Sequence, residues 1–308
     1  MKFLKKIIVT FTFFNSIVAN NSKILIFTFS HNRPDFIEIQ YKTFKKFLKD
    51  DYEFIVFNDA TNNEMQKNIE QTCEKLNLKC IRIPQEIHSQ PYLQRWPGEN
   101  YNHPSIRCCN VVQYSLDNFG FNHDGIVCLF DSDMFLVREF SISKFLKNYD
   151  IMGVPQSNSN HKASVTHISV HLAFLNMKNL PDKRKLNFNC GKIYEMPIDA
   201  GGHTYYYLKD HPQLKIYYTS ACHSFVLMCQ NCQKSNQNVC LHNTKTLIDL
   251  GFNQKEIKFI HSGANNVEFL LNKNFLHYRG GTNWDHKTNF YHQNKTKMLN
   301  DFISDILN

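Results

Sequence analysis

Gly125-Ile126-Val127-Cys128-Leu129-Phe130-Asp131-Ser132-Asp133 is the most informative stretch of this 308-residue chain. Its first part is a continuous apolar run, which is typical of a strand that is buried on both faces of a sheet. Two carboxylates follow where that strand ends. Since ligands of open α/β sheets bind beyond the carboxyl ends of the strands, the stretch predicts a central strand with a site at its end.

Similar strands alternate with helices on the amino-terminal side of this stretch. Apolar runs at 23–29, 52–57 and 80–83 predict strands, and helical spacing recurs at 34–48, 65–76 and 104–119. This alternation predicts an α/β fold with a Rossmann-type, mainly parallel sheet flanked by helices. We therefore expect Ser30–Arg33, Asn58-Asp59 and Asp131–Asp133 to meet at one rim of the sheet.

Composition excludes several classes of protein. Hydrophobic residues make up 42% of the chain, which is incompatible with general disorder. The net charge of +8 includes no basic block, so we expect no nucleic-acid partner. No apolar run reaches the roughly 18 residues that a membrane-spanning helix needs, so we expect no stable membrane span once the amino terminus is removed.

The first twenty residues read as a targeting segment. Met1–Lys6 carries three lysines, Ile7–Ala19 is mostly apolar, and Ala19 is small, as in a secretory signal peptide. Cleavage would place the protein in the secretory pathway, the periplasm or the extracellular space. Residues 7–19 could instead remain as a short anchor, or form a first strand or helix.

Four cysteines surround a polar stretch in the second half. They could form disulfides, stay free thiols, or provide a structural Zn²⁺ site that stabilises a loop. The sequence leaves these alternatives open. The four are Cys222, Cys229, Cys232 and Cys240.

Asp131 and Asp133 have the chemistry of a cation site. Two carboxylates one residue apart repel each other unless a cation or protons lie between them. Oxygen ligands on a tight turn suit Mg²⁺ or Mn²⁺. The alternative is a solvated loop in which Asp131 caps a turn.

A second polar segment, Phe275–Trp284, could complete that site. His277 is a candidate imidazole ligand, and Gly280-Gly281 would let the backbone approach a ligand closely. The alternative is a glycine turn beside a buried, hydrogen-bonded histidine.

Asp199 is a candidate catalytic residue in the second half of the chain. It stands before Gly201-Gly202 and could act as a general base or orient a substrate hydroxyl. The alternative is an Asx-turn into Gly201. Tyr205–Tyr207 is predicted to be a packed strand.

These motifs resemble the GT-A type nucleotide-sugar glycosyltransferases. Asp131-Ser132-Asp133 matches their D-x-D after a hydrophobic strand, and His277-Tyr278-Arg279-Gly280 resembles their late His-x-x-Gly element. The resemblance covers roughly residues 24 to 284, and the Lys-Pro-Trp ending of the glycogenin-like branch is absent. No specific family is indicated.

The resemblance implies a role for each matching residue. Asp131, Asp133 and His277 would bind Mn²⁺ or Mg²⁺, and Asp199 would serve the acceptor, a hydroxyl of a glycan, protein or lipid. It also implies a nucleotide-binding half at 21–137 and an acceptor-side half at 138–308. The donor-binding residues would be Thr28, Ser30, Arg33, Asp59, Arg107, Asp131, Ser132, Arg279, Gly280 and Gly281.

Two other functions remain open. Phosphatases of the haloacid-dehalogenase type also place D-x-D after a strand, but normally after the first strand. The third possibility is a secreted, catalytically inert glycan-binding or surface protein on a transferase-like scaffold. The sequence does not distinguish a retaining from an inverting transferase.

Overall fold

The structure is a computed structural model that describes residues 23–88, 104–219, 221–223, 244–261, 267–281 and 290–308. The predicted signal peptide therefore lies outside the described residues. So do Cys229, Cys232 and Cys240, and of Cys222 only the backbone is described.

The described chain contains thirteen strands and eight α-helices. The strands are β1 (Ile24–Ser30), β2 (Tyr52–Asn58), β3 (Lys79–Arg82), β4 (Ile126–Asp131), β5 (Met134–Leu136), β6 (Ile151–Ser159), β7 (Ser164–Asn176), β8 (Gly191–Ile193), β9 (Met196–Ile198), β10 (Ile216–Tyr218), β11 (Ala221–His223), β12 (Val267–Leu270) and β13 (Phe275–Tyr278). The helices are α1 (Pro34–Phe47), α2 (Asn63–Lys75), α3 (Pro104–Asn118), α4 (Ile142–Leu146), α5 (Thr204–Asp210), α6 (Thr244–Asp249), α7 (Gln254–His261) and α8 (Phe290–Leu307).

Seven strands form the central sheet in the order β10-β6-β7-β4-β1-β2-β3. Strands β4, β1, β2 and β3 are parallel neighbours, and β7 is antiparallel to both β4 and β6. Two hydrophobic cores, one on each face, bury the apolar runs of β1, β2 and β4. The predicted α/β fold with a mainly parallel, helix-flanked sheet is confirmed.

Helix α1 begins where the sequence predicts, with Pro34 in its first turn, and α2 begins where the side chain of Asn62 accepts the amide hydrogen of Met65. The sheet continues past residue 137, because β6, β7 and β10 extend it. Tyr205–Tyr207 lies in α5, so the predicted strand there is wrong. Tyr207 is buried while Tyr206 is exposed, as a short amphipathic helix requires.

A second sheet approaches the end of β4. It has four antiparallel strands in the order β11-β12-β13-β5. Strand β5 begins at Met134, one residue after the predicted aspartate pair, and Met134 pairs with His277 of β13. The turn between β4 and β5 therefore joins the two sheets. Among the described residues, no helix is both long enough and apolar enough to cross a membrane.

Candidate functional site

The aspartate pair lies at the carboxyl end of β4, in the turn that leads to β5. Asp131 pairs in register with Phe29 of β1, and the turn follows immediately. The side-chain amide of Gln40 donates to the carbonyl oxygens of Asp131 (2.9 Å) and Met134 (2.7 Å). Gln40 is fully buried on α1 and fixes the turn from below.

Asp133 is 3% exposed and faces the second sheet. Its Oδ2 accepts the amide hydrogen of Gly281 at 2.9 Å, and its carbonyl oxygen accepts that of Tyr278, also at 2.9 Å. Its Oδ1 is buried, accepts no hydrogen bond from the residues that the structure describes, and forms an ion pair with Nε2 of His277 at 3.4 Å. A buried carboxylate oxygen of this kind is costly unless a ligand satisfies it.

His277 is buried between two carboxylates. Its Nε2 faces Asp133, and its Nδ1 lies 3.2 Å from Oε2 of Glu268. Burial by itself lowers the pKa of His277, but the interactions with Asp133 and Glu268 outweigh it and raise the pKa to about 10. For Asp131, burial and then repulsion by Asp133 raise the pKa to about 7. The site thus concentrates negative charge that a cation would relieve.

The three predicted metal ligands come together. Asp131, Asp133 and His277 each offer an atom, and these atoms all lie within 4.8 Å of one another. Carboxylate oxygens with one imidazole nitrogen are suitable donors for Mn²⁺ or Mg²⁺. Since Oδ1 of Asp133 accepts no hydrogen bond from the described residues, it can bind a metal ion, and the donor set fits a divalent cation. His171, Glu268 and His277 form an overlapping group of the same kind.

Asp59 and Arg107, both predicted to bind the donor, pair with each other. A terminal guanidinium nitrogen of Arg107 donates to Oδ1 of Asp59 at 2.8 Å, and Gln85 donates to the same oxygen at 3.1 Å. Burial opposes the charge on Asp59, but its interactions with His31 and His88 outweigh this and hold the pKa well below its ordinary range. The pair lies past β2, at the same rim as Asp131.

Arg33 is buried, with 1% of its surface exposed. Its guanidinium donates to both carboxylate oxygens of Asp35 (2.9 and 2.7 Å) and to the carbonyl oxygen of Gly281. It also stacks on Phe36, 3.5 Å from the ring centre. These contacts link α1 to Gly281, whose amide donates to Asp133, so the buried Arg33 helps to fix the position of Asp133. Its donor-binding role stays a prediction.

Three further predicted donor-binding residues, Thr28, Ser30 and Ser132, are also buried at this rim. The hydroxyl groups of Thr28 and Ser132 have no hydrogen-bond partner in the described part of the chain, whereas Ser30 donates to the carbonyl oxygen of Arg33 at 3.4 Å. The structure brings all three close to the end of the sheet, and their contact with a donor stays a prediction.

The glycine pair has a packing role that the sequence did not reveal. A Cβ on Gly281 would clash with the ring of Tyr278, and the Gly281 amide is engaged by Asp133. Gly280 has a positive φ of 70°, which glycine tolerates without strain. Arg279 is held by Glu268, with 2.9 Å between Nε and Oε1, and its side chain remains 54% exposed. Residues 282–284 lie outside the described residues.

Asp199 lies exposed on the same side of the sheet. It accepts hydrogen bonds from the hydroxyl of Ser105 and from the amide of Ala200 (2.7 Å), and its charge contributes to the raised pKa of Asp131. The Asx-turn alternative is wrong, because the Gly201 amide donates to the carbonyl oxygen of Phe188 instead. Gly201 has a φ of 89°, and a Cβ there would clash with the Ile168 carbonyl.

Gln40, Glu268 and His171 are site residues that the sequence analysis missed. Gln40 left a weak signal, since it is a polar residue on the buried face of α1 between Ile37 and Phe44. Glu268 left a similar one, as a charged residue within the apolar strand β12.

No family model and no curated protein matches this chain. Solved structures do. The galactosyltransferase LgtC, solved with donor and acceptor sugar analogues, matches with a TM-score of 0.42 and 12% identity over 90% of this chain and 95% of its own. The bifunctional glycosyltransferase WbbM matches with a TM-score of 0.41 and 8% identity over 65% of this chain.

A third match is core-mannan synthase A from Aspergillus fumigatus, solved in a Mn/GDP form, with a TM-score of 0.30 and 14% identity over 47% of this chain. The chain spans only 39% of WbbM and 45% of this synthase. These three structures are glycosyltransferases, the class that the sequence motifs resemble. A likeness of this size does not assign a reaction, so function has to be inferred from the site itself.

Proposed function

We propose that this protein is a metal-dependent glycosyltransferase that transfers a sugar from a nucleotide-sugar donor to a hydroxyl acceptor. One observation carries this function. Asp131, Asp133 and His277 converge at the carboxyl end of β4, and one buried carboxylate oxygen of Asp133 faces His277 without accepting a hydrogen bond from any described residue. In an open α/β sheet this edge is where a nucleotide binds, and such a ligand set would hold Mn²⁺ or Mg²⁺ there.

The residues around the cation site would have different roles in the reaction. When bound, the cation supplies Lewis-acid stabilisation of the charge that develops on the departing diphosphate. Arg279 adds an exposed positive charge beside it. Asp59 and Arg107 would meet the nucleoside end of the donor, because they lie past the neighbouring strand at the same rim.

Asp199 would face the acceptor. It is exposed, and it lies close enough to Asp131 to raise that residue's pKa. In an inverting reaction Asp199 would remove the proton of the attacking hydroxyl, and in a retaining reaction it would orient the acceptor. We also propose a secretory-pathway location, from the amino-terminal segment alone.

A thermal-shift screen tests this function. The chain from residue 20 onward would be heated with nucleoside diphosphates and nucleotide sugars, with Mn²⁺ or with EDTA. A ligand at a hundred times its dissociation constant adds about 2.7 kcal/mol of stability, which raises the melting temperature by several degrees. We expect one nucleotide to give this rise with Mn²⁺, and EDTA to remove it. No rise with any nucleotide in Mn²⁺ would favour the inert glycan-binding protein.

A further inference from the structure

We infer that Glu268 is a positioning residue that orients both His277, the nitrogen ligand of the metal site, and Arg279, the cation beside it. The inference rests on the proposed function and deepens it. It names a residue outside the metal-ligand set on which cation affinity and diphosphate binding both depend.

The backbone places Glu268 directly beside His277. The two residues are register partners across the antiparallel pair β12 and β13, so their side chains project from the same face. Arg279 follows β13 by one residue. A carboxylate at position 268 therefore reaches both neighbours without any distortion of the sheet.

Each oxygen of Glu268 has its own partner. Oε2 lies 3.2 Å from Nδ1 of His277, and Oε1 lies 2.9 Å from Nε of Arg279. Glu268 is 3% exposed, so its carboxylate is shielded from water although Arg279 is not. A buried carboxylate is retained in a sheet only when such partners compensate its charge.

This arrangement fixes which nitrogen of His277 is free to bind a cation. When a cation replaces the proton on Nε2, the carboxylate facing Nδ1 keeps the other proton on Nδ1 and so leaves Nε2 as the ligand atom. Nε2 is the atom that faces Asp133, at 3.4 Å. The ring is also held on its face, because His171 stacks on it with 5.0 Å between ring centres and 12° between planes.

The same carboxylate restrains Arg279. Its Nε is engaged by Glu268, while the side chain stays 54% exposed at the site. A guanidinium held in this way keeps its remaining N–H groups available for a phosphate. Loss of Glu268 should therefore weaken cation binding and diphosphate binding together.

Glu268→Gln tests the inference, because it keeps the size of the side chain and removes the charge. Removal of such an outer partner typically weakens metal binding about 10- to 100-fold. We expect that loss for Mn²⁺ by calorimetry, with a weakened ¹⁴N modulation from His277 in the electron spin-echo spectrum of bound Mn²⁺. Glu256→Gln is the matched control, since Glu256 is 1% exposed and pairs with Arg138 at 2.7 and 2.9 Å.

A second measurement needs no variant. In the wild-type chain with ¹⁵N-labelled histidine and diamagnetic Zn²⁺, we expect His277 to carry its proton on Nδ1 and the metal on Nε2. The opposite arrangement overturns the inference. Wild-type Mn²⁺ affinity in Glu268→Gln would also overturn the inference, but this result would leave the proposed function intact. A wild-type protein that binds no divalent cation at His277 overturns both.

Discussion

Asp133→Asn is expected to abolish the metal-dependent activity, with a loss of about 1,000-fold in turnover of the nucleotide sugar. The variant keeps an oxygen for the Gly281 amide but removes the negative charge of a metal ligand. The charge stabilisation that a divalent cation supplies in a transition state amounts to several kcal/mol, and about 4 kcal/mol corresponds to 1,000-fold. Release of nucleoside diphosphate, followed at saturating Mn²⁺, measures the effect.

Asp50→Asn is the matched control for this experiment. Asp50 accepts the amide hydrogen of Ile142 at 2.6 Å at the start of α4. It precedes β2 and so lies at the amino ends of the parallel strands, away from the aspartate pair. We expect this variant to lose some stability and to keep its turnover. Equal activity in Asp133→Asn and Asp50→Asn would show that the aspartate pair does not bind a catalytic cation.

Arg33→Met is expected to destabilise the fold by about 3 kcal/mol, because buried polar groups lose their partner. The Gly281 carbonyl would lose its guanidinium donor, and the stacking on Phe36 would be lost as well. Urea denaturation followed by circular dichroism measures this. Since Gly281 also donates to Asp133, Mn²⁺ affinity should fall in the same variant.

Arg184→Met is the control, because Arg184 is exposed and its guanidinium donates to the side chain of Asn122. Surface changes of this kind usually stay within about 0.5 kcal/mol. If Arg33→Met unfolds at the same urea concentration as Arg184→Met, then Arg33 does not tie α1 to the Gly281 segment.

Sequence reasoning succeeded where the signal was local. The apolar runs of β1, β2 and β4 are buried on both faces, so each run predicted a central strand. The carboxyl ends of parallel strands lie at one edge of the sheet. For the same reason Asp59 and Asp131 could be assigned to one rim. His277 could be nominated because it stands in a short polar segment after an apolar run.

Other features depend on packing between distant segments. Glu268 meets His277 only because β12 and β13 pair, and Gln40 reaches the turn after β4 from a helix 91 residues earlier. Arg33 reads as a loop arginine at the sheet edge, yet it contacts Gly281, which lies 248 residues away in the chain. Tyr205–Tyr207 is rich in strand-forming aromatics but forms a helix, in which Thr204 accepts the Ile168 amide and Tyr207 donates to the Pro181 carbonyl oxygen.

The most direct test of the central claim is anomalous diffraction at the manganese edge from crystals of the protein grown with Mn²⁺. We predict an anomalous peak at the carboxyl end of β4, bounded by the carboxylates of Asp131 and Asp133 and by Nε2 of His277. A peak elsewhere, or none at these residues with Mn²⁺ in large excess, would contradict the account.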